Sequence, residues 1–501
     1  MAKQATGAGV KPQAAAVIGG GVIGGGWVAR LIQNGVNVRV FDPDPQASRK
    51  IAEIMANADH ALDRLTMAPP PARGTLVFTD NIADAVSGGD IVAELIVEAV
   101  PERLEIKQAV YAEIEQTANP DAVISSSTSG IMPTDLQAKM TNPERLIVGH
   151  PFNPVYLLPL VELVGGKRTG MAAIDKARSF YTAIGMHPLH VRKEIEAFIA
   201  DRFLEAVWRE ALWLVNDGIA TTDEIDDAIR FGFGLRWAQM GLFETYRVAG
   251  GEAGMVHFIA QFGPCLKWPW TKLMDVPELT DELVDAISSQ SDAQSGMYSI
   301  RELERIRDNN LVAIMQALKA NDWGAGKTLA AWEAALYDAV PTTTDDDITK
   351  PLETMRRSVP AEWTDYNGHM NEARYLDCFS QATDAFMRMC GVDTAYVEAG
   401  GSYFTVETHI RHLDEVKAGA EIYATTQVVA GAGKKMHLFH SLFAGDDRLL
   451  ATGEHMLLHV DMNSRSSSLP GAAVAARLEE FVTAHKDLPM PDGAGRAIGK
   501  K

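Results

Sequence analysis

The sequence contains only three cysteines among 501 residues, and Cys265, Cys378 and Cys390 lack the paired spacing of a metal site. So sparse and odd a set indicates reduced thiols, and we expect a cytoplasmic protein without a metal ion. No run approaches the ~18 apolar residues of a membrane span, and no signal peptide is evident before Ala14. Excess positive charge is also missing. The formal net charge of −20 argues against nucleic-acid and membrane partners.

Periodicity divides the chain into three folded regions, in keeping with about 150 residues per domain. Residues 1–195 alternate short apolar runs with helical patterns, which predicts an α/β domain with a mostly parallel sheet. Residues 196–337 keep helical spacing and predict an all-α domain. A linker rich in Pro, Thr and Asp follows at 338–350. Residues 351–501 combine a long helical segment with four strand-like runs, which predicts a separate α+β domain.

A glycine-rich segment follows the first apolar run and precedes a helical pattern. Its residues are Gly19, Gly20, Gly21, Val22, Ile23 and Gly24, which satisfy Gly-x-Gly-x-x-Gly. In a strand–turn–helix setting, such glycines allow a tight turn, let the backbone approach a pyrophosphate, and let helix and strand pack closely. Asp42 ends the second strand pattern, 18 residues beyond Gly24. An acidic residue there binds a ribose 2′-hydroxyl, so we predict NAD rather than NADP as the cofactor.

Polar segments follow the ends of later strand patterns, where ligands bind in open α/β sheets. Glu102 and Lys107 follow one such end, Ser129 follows another, and His150 follows a third. Glu162 lies 12 residues beyond His150. Oxidation of an alcohol needs a base for the hydroxyl proton, and a histidine with a carboxylate partner suits that role. On spacing alone, a structural histidine is the alternative.

These motifs, together with Gly149-His-Pro-Phe-Asn153-Pro154, resemble the 3-hydroxyacyl-CoA dehydrogenase superfamily over about residues 14–330. The resemblance implies a Rossmann domain followed by a helical domain that supplies much of a dimer interface. It also implies that His150 is the catalytic base, that Glu162 is its partner, and that Ser129 contacts the reacting oxygen. The residues that it implies for the NAD site are Asp42, Glu102, Lys107 and Asn153.

One segment departs from the acyl-CoA enzymes. They carry Phe-Ile-Val-Asn-Arg where this chain has Phe198-Ile-Ala-Asp201-Arg202, so a carboxylate replaces the active-site asparagine. A carboxylate suits a cationic substrate better than an uncharged thioester. Downstream aromatic residues can bind a quaternary ammonium group by cation–π attraction, although core packing is the alternative for each. They are Phe231, Phe233, Trp237, Tyr246, Trp268 and Trp270.

Asp201, the aromatic residues and Arg236, which can pair with a carboxylate, suit a small zwitterion. Within the superfamily, the chain resembles the branch of bacterial L-carnitine dehydrogenases, which oxidise the 3-hydroxyl of carnitine to 3-dehydrocarnitine. Three alternatives stay open. They are oxidation of a 3-hydroxyacyl-CoA, oxidation of L-gulonate, and a non-catalytic NAD-binding protein of the lambda-crystallin type.

The third region contains Asp365-Tyr-Asn-Gly-His369-Met-Asn371 just before the long helical segment Glu372–Met389. A polar loop at a helix N-terminus offers N–H donors for a thioester carbonyl, and Asp365 can activate water or attack the carbonyl. The segment resembles hotdog-fold thioesterases of the 4-hydroxybenzoyl-CoA type, which implies that Asp365 is the catalytic carboxylate. A simple turn cap is the alternative. Resemblance to the fused form of the carnitine enzymes implies betainyl-CoA as the thioester, so we expect a bifunctional homodimer.

Overall fold

A computed structural model describes most of the chain, in two compact units. The described residues are 9–66, 68, 71–89, 92–249, 252, 254–262, 264, 271, 278–338, 347–359, 363–365 and 367–496. One unit comprises Met1–Ala61 and Ala72–Trp332, and the other comprises Leu62–Pro71 and Glu333–Lys501. The predicted boundaries at 195, 337 and 350 are finer than this division and stay predictions. Cys265, Trp268, Trp270 and most of the predicted linker lie outside the described residues.

The first unit contains an eight-stranded sheet. Its strands are β1 (Ala14–Ile18), β2 (Asn37–Phe41), β3 (Leu76–Phe78), β4 (Leu95–Glu98), β5 (Val123–Ser126), β6 (Leu146–Pro151), β7 (Leu160–Gly165) and β8 (His187–Val191). Their spatial order is β3-β2-β1-β4-β5-β6-β7-β8, and all neighbours are parallel except β6 and β7. The chain leaves β1 in one direction and returns to place β4 on its other side. A ligand crevice is therefore expected at the carboxyl ends of β1 and β4.

Helices cover both faces of this sheet, so its central strands are buried along their whole length rather than at alternate residues. All residues of β1, β4 and β5 are buried. The helices are α1 (Val22–Gln33), α2 (Ala47–Leu65), α3 (Ile82–Ser87), α4 (Leu104–Thr117), α5 (Pro133–Leu136) and α6 (Met171–Ala183). The α/β Rossmann class predicted for this part of the chain is confirmed.

A helical region follows the sheet. Its elements are α7 (Ala200–Asn216), α8 (Thr222–Ala228), a π-helical turn (Ile229–Phe233), α9 (Gly234–Ala249), α10 (Gly254–Phe262), α11 (Asp281–Ser295), α12 (Ile300–Ala320) and α13 (Ala325–Asp338). Within α7, only Leu212 is buried. Trp208, Phe231 and Phe243 are all more than half exposed. The all-α prediction is confirmed, and its apolar side chains are poorly covered by the single chain. None of the described helices is long and apolar enough to cross a membrane.

The second unit is an antiparallel hotdog sheet with a central helix. Its elements are β9 (Leu352–Ser358), α14 (Glu372–Met389), α15 (Thr394–Glu398), β10 (Gly401–His412), β11 (Glu421–Ala432), β12 (Lys435–Ala444), β13 (Leu449–Asp461), β14 (Ser466–Ser467) and α16 (Ala472–His485). The strand order is β10-β13-β12-β11-β9, and β14 pairs with β13. Phe379 and Phe386 of α14 are fully buried against the sheet. The predicted α+β hotdog class is confirmed.

Candidate active sites

The glycine loop joins β1 to α1 through a backbone that only glycine adopts easily. Gly19 has φ of +101°, in the left-handed region, and a side chain there would collide with the carbonyl of Ala99. A Cβ on Gly24 would overlap the carbonyl oxygen of Gly19, whereas one on Gly21 would meet nothing within 4 Å. The first and third motif glycines thus close the turn, and the second leaves open space beside the helix N-terminus. This arrangement suits a pyrophosphate.

Asp42 lies immediately after β2 and is held by the glycine loop. Its Oδ2 accepts the N–H of Gly20 at 2.5 Å, and its Oδ1 accepts the N–H of Asp44 at 2.7 Å. Both oxygens retain acceptor capacity, because a carboxylate offers about four lone-pair sites. The side chain can therefore receive ribose hydroxyls next to the glycine turn.

Glu102 connects the loop after β4 to the loop after β5. Its Oε1 accepts the N–H of Ser129 at 3.1 Å and of Gly130 at 3.4 Å, and it also accepts the Thr128 hydroxyl. Ser129 is exposed, as is expected of a residue that meets a ligand. Lys107, in contrast, is only 1% exposed, and its ammonium group is paired with Glu98 at 2.8 Å and with Glu102 at 3.3 Å. Its predicted role as a cofactor contact stays a prediction.

His150 and Glu162 lie directly opposite each other on the antiparallel strands β6 and β7. Opposite residues of such a pair share a face of the sheet, and His150 Nδ1 lies 3.0 Å from Glu162 Oε2. His150 is 5% exposed and Glu162 is fully buried. The rings of Phe152 and Phe198 pack against the imidazole. The carboxylate therefore fixes the ring orientation and leaves Nε2 as the nitrogen for chemistry.

The second oxygen of Glu162 holds the start of α7. Its Oε1 accepts the N–H of Ile199 at 3.0 Å and of Ala200 at 3.1 Å, so a carboxylate on strand β7 caps this helix. Asp201 lies in the first helical turn, with its Oδ2 3.5 Å from His150 Nε2. Burial raises the pKa of Asp201, and the nearby His150 opposes that rise. The imidazole thus lies between two carboxylates.

The remaining predicted dehydrogenase residues are more exposed. Asn153 is exposed two residues beyond the end of β6. Phe233 ends the π-helical turn, and its ring packs on that of Trp237, with centroids 4.6 Å apart. Arg236 lies exposed in the first turn of α9. The assignments of these four residues stay predictions.

In the hotdog unit, Asp365 lies in a tight polar loop before α14. Its Oδ1 accepts the N–H of Asn367 at 2.8 Å, and its backbone pairs with His369 and Gly368. Asp365 therefore does cap a turn, and its side chain is half-buried. A cap through one oxygen leaves the other available for chemistry. Asn371 caps α14 by accepting the N–H of Ala373 at 3.0 Å.

In the dehydrogenase site, Glu98 is the residue that sequence reasoning missed. It ends β4, is fully buried, and accepts four hydrogen bonds. The only signal in the sequence was an acidic residue at the end of an apolar strand, because Glu, when buried, is usually paired. Lys107, nine residues later, was the available partner.

Three family models match the chain. Those described as "3-hydroxyacyl-CoA dehydrogenase, NAD binding domain" and "3-hydroxyacyl-CoA dehydrogenase, C-terminal domain" match residues 14–195 and 198–299. The third, "Thioesterase-like superfamily", matches residues 359–497. A Ruegeria pomeroyi protein named L-carnitine dehydrogenase/betainyl-CoA thioesterase is 59% identical over 487 residues, which are 97% of this chain and 99% of that protein. The chain belongs to the L-carnitine dehydrogenase/betainyl-CoA thioesterase family.

A Rhizobium meliloti protein of the same name is 54% identical over 495 residues, which are 97% of this chain and 99% of that protein. Among solved structures, 5-formyl-3-hydroxy-2-methylpyridine 4-carboxylic acid 5-dehydrogenase, an NAD+ dependent dismutase, is 29% identical with a TM-score of 0.52. It covers 61% of this chain, and 98% of that protein is matched. This member of the L-carnitine dehydrogenase/betainyl-CoA thioesterase family thus combines an NAD-type dehydrogenase domain with a thioesterase domain.

Proposed function

We propose that this chain oxidises L-carnitine to 3-dehydrocarnitine with NAD and hydrolyses betainyl-CoA in its hotdog unit. The observation that carries the first activity is the position of His150, with Nδ1 3.0 Å from Glu162 and Nε2 3.5 Å from Asp201. The first contact suits a general base, and the second suits a cationic alcohol. The names of the relatives support both activities.

His150 accepts the proton of the substrate hydroxyl on Nε2, because Nδ1 is committed to Glu162. For this, the neutral ring carries its proton on Nδ1 and donates it to Glu162 Oε2. The imidazolium that forms is stabilised by the fixed negative charge behind it, without reorganisation of solvent. Ser129 donates a hydrogen bond to the reacting oxygen. Bound NAD supplies the acceptor for the hydride that leaves C3.

The glycine loop and Asp42 fit a dinucleotide whose ribose has a free 2′-hydroxyl. The open space beside Gly21 suits a pyrophosphate, and the helix N-terminus of α1 has no side-chain cap to compete with it. A 2′-phosphate would meet the carboxylate of Asp42 and be repelled. These features support NAD over NADP.

Asp201 selects the cation of the substrate. In carnitine, the carbon next to the one with the hydroxyl bears the trimethylammonium group. A carboxylate that lies beside the nitrogen of the base therefore lies beside that cation. Because the Asp201 side chain is only 19% exposed, water screens this attraction less than at the surface. Phe233 and Trp237 add aromatic faces for the methyl groups, and Arg236 supplies a partner for the carboxylate of carnitine.

Replacing Asp201 by asparagine is expected to raise the KM for L-carnitine about tenfold, which corresponds to ~1.4 kcal/mol. The amide keeps the shape of the side chain and removes its charge, while the affinity for NADH stays unchanged. Steady-state kinetics measure this, and Glu205→Gln makes the same charge change one turn later on α7. An unaltered KM in Asp201→Asn, or an equal rise in Glu205→Gln, would refute cation recognition by Asp201.

In the hotdog unit, Asp365 activates water for attack on the thioester carbonyl or attacks that carbonyl itself. The loop before α14 holds this carboxylate through the N–H of Asn367. The buried packing of α14 against the sheet gives the loop a rigid support. Similarity to the thioesterase-like superfamily over residues 359–497 supports the assignment.

A homodimer through the helical region accompanies these activities. Large apolar side chains there are widely exposed in the single chain, including Phe231 at 76%, Phe243 at 71% and Trp208 at 60%. Exposed apolar patches of this kind mark protein–protein contacts. A second copy of the chain is the partner that covers them.

The location that we propose is the cytoplasm. Cys378 and Cys390 are buried free thiols, and burial raises the pKa of each to about 12. Such thiols are unreactive and suit a reducing compartment.

A substrate panel tests the proposed function. Purified enzyme is expected to reduce NAD with L-carnitine, and to do so much more slowly with 3-hydroxybutyryl-CoA, with L-gulonate, or with NADP in place of NAD. It is also expected to release CoA from betainyl-CoA and to elute at twice the mass of one chain. Turnover only with L-gulonate or 3-hydroxybutyryl-CoA would contradict the assignment. Tight NADH binding without turnover of any alcohol would indicate a non-catalytic protein.

A further inference from the structure

Glu98 occupies the centre of the sheet edge at which the ligand crevice opens. Its backbone pairs in register with Ile18 of β1 on one side and with Ser126 of β5 on the other. Beyond Ile18 the chain enters the glycine loop, and beyond Ser126 it enters the loop that bears Ser129. Glu98 is fully buried, so it acts on ligands only through its neighbours.

The carboxylate of Glu98 accepts hydrogen bonds from the loop after its own strand, from the last residue of β5 and from α4. Oε1 accepts from Lys107 Nζ at 2.8 Å and from the N–H of Val100 at 2.9 Å. Oε2 accepts from the hydroxyls of Tyr111 at 2.5 Å and Ser126 at 2.6 Å. A carboxylate has about four acceptor positions, and these four donors use them. Burial and the adjacent Glu98 raise the pKa of Tyr111 far above its usual value, which keeps that hydroxyl a donor.

Lys107 links the buried carboxylate of Glu98 to the more exposed carboxylate of Glu102. Its Nζ also lies 3.3 Å from Glu102 Oε2, while Oε1 of Glu102 receives the N–H groups of Ser129 and Gly130. The side chain of Glu102 is 43% exposed, whereas that of Lys107 is 1% exposed. The contacts therefore run from Glu98 through Lys107 to Glu102 and then to the Ser129 loop.

We propose that Glu98 is a positioning residue of the dehydrogenase site. It neutralises Lys107, so that Glu102 keeps its other oxygen, Oε1, for the loop that bears Ser129. The inference rests on the proposed alcohol oxidation. A buried ammonium needs a nearby negative charge. If the charge of Glu98 is removed, Glu102 is the remaining carboxylate that Lys107 contacts. Glu102 then moves toward the ammonium, and the loop bearing Ser129 loses its acceptor.

The test compares Glu98→Gln, which keeps the size of the side chain and removes its charge, with Glu98→Asp, which keeps the charge and shortens the side chain. Glu98→Gln is expected to lower kcat for L-carnitine oxidation at least tenfold at saturating NAD, while hydrolysis of betainyl-CoA by the same chain stays unchanged. Glu98→Asp is expected to retain kcat to within about threefold of the unsubstituted enzyme, because a carboxylate then still neutralises Lys107 and Glu102 keeps its hold on the Ser129 loop. A role in packing alone predicts the reverse order, because glutamine fills the space of glutamate and aspartate does not.

The matched control is Glu94→Gln. Glu94 immediately precedes β4, at the end of the strand opposite Glu98, and its carboxylate accepts the N–H of Gln13 at 2.7 Å. This variant is expected to keep wild-type kcat. Wild-type kcat in Glu98→Gln, or an equal loss in Glu98→Gln and Glu98→Asp, would overturn the proposal. If the unsubstituted enzyme does not oxidise L-carnitine, the variants are compared with whichever alcohol of the substrate panel it does oxidise. Inactivity with L-carnitine therefore contradicts the proposed function but not the role of Glu98.

Discussion

The His150→Ala enzyme is expected to oxidise L-carnitine about 10²–10⁴ times more slowly than the unsubstituted enzyme, the range that a general base contributes. Alanine removes the nitrogen that accepts the hydroxyl proton. It leaves Glu162 bound to the N–H groups of Ile199 and Ala200, so α7 keeps its cap. NADH production measures turnover, and NADH fluorescence measures whether the cofactor still binds.

Two controls separate chemistry from folding in this experiment. Betainyl-CoA hydrolysis by the same sample reports the integrity of the second unit. His187→Ala changes an exposed histidine at the start of β8 in the same sheet and is expected to leave kcat unchanged. Near-normal turnover in His150→Ala would rule out its role as the base. Loss of NADH binding along with turnover would show that the substitution had disturbed the crevice.

The second large effect is expected for Asp365→Asn, which should lower thioester hydrolysis at least 10²-fold and leave carnitine oxidation intact. Asparagine is chosen because its side-chain oxygen still accepts the N–H of Asn367, so the turn is preserved while the charge is lost. Release of CoA from betainyl-CoA, followed with a thiol reagent, measures the effect.

Asp393→Asn is the matched control for this substitution. Asp393 also accepts a backbone N–H in the hotdog unit, since it caps the short helix α15 through the N–H of Tyr396 at 2.8 Å. Its replacement is expected to leave hydrolysis within about twofold of normal. If Asp365→Asn and Asp393→Asn hydrolyse the thioester equally well, Asp365 is a turn cap and the chemistry lies elsewhere. If both activities fall together, the two units do not work independently.

Elements with a strong period could be predicted from the sequence, and short or interrupted ones could not. Helix Glu372–Met389 has the bounds that its pattern predicts. Strand β3 has only three residues, and β8 contains Pro188, which is unusual in a strand interior. Strand β12 alternates imperfectly, because His440 points into the core, where Thr383 and Thr426 satisfy its ring nitrogens.

In the candidate site, too, local sequence motifs could be predicted, whereas contacts that depend on tertiary packing could not. The sequence pointed to His150 and Glu162 as a pair because the motifs around them resemble those of the 3-hydroxyacyl-CoA dehydrogenase superfamily. The two residues face each other because of the register between β6 and β7. Their separation of 12 residues in the sequence does not determine that register. The approach of Asp201 to the imidazole depends on how α7 packs. The sequence likewise does not reveal that Lys107 is buried, since lysine is almost never fully buried unless paired.

The two oxygens of Glu162 have different roles, and this limits how the substrate preference of the enzyme can change. One oxygen orients the imidazole, while the other anchors the helix that carries position 201. A shift of that helix to admit a different alcohol would pull on the carboxylate and misalign the proton acceptor. New substrate preferences are therefore reached more easily by exchanging side chains in the first turn of α7 than by moving its backbone.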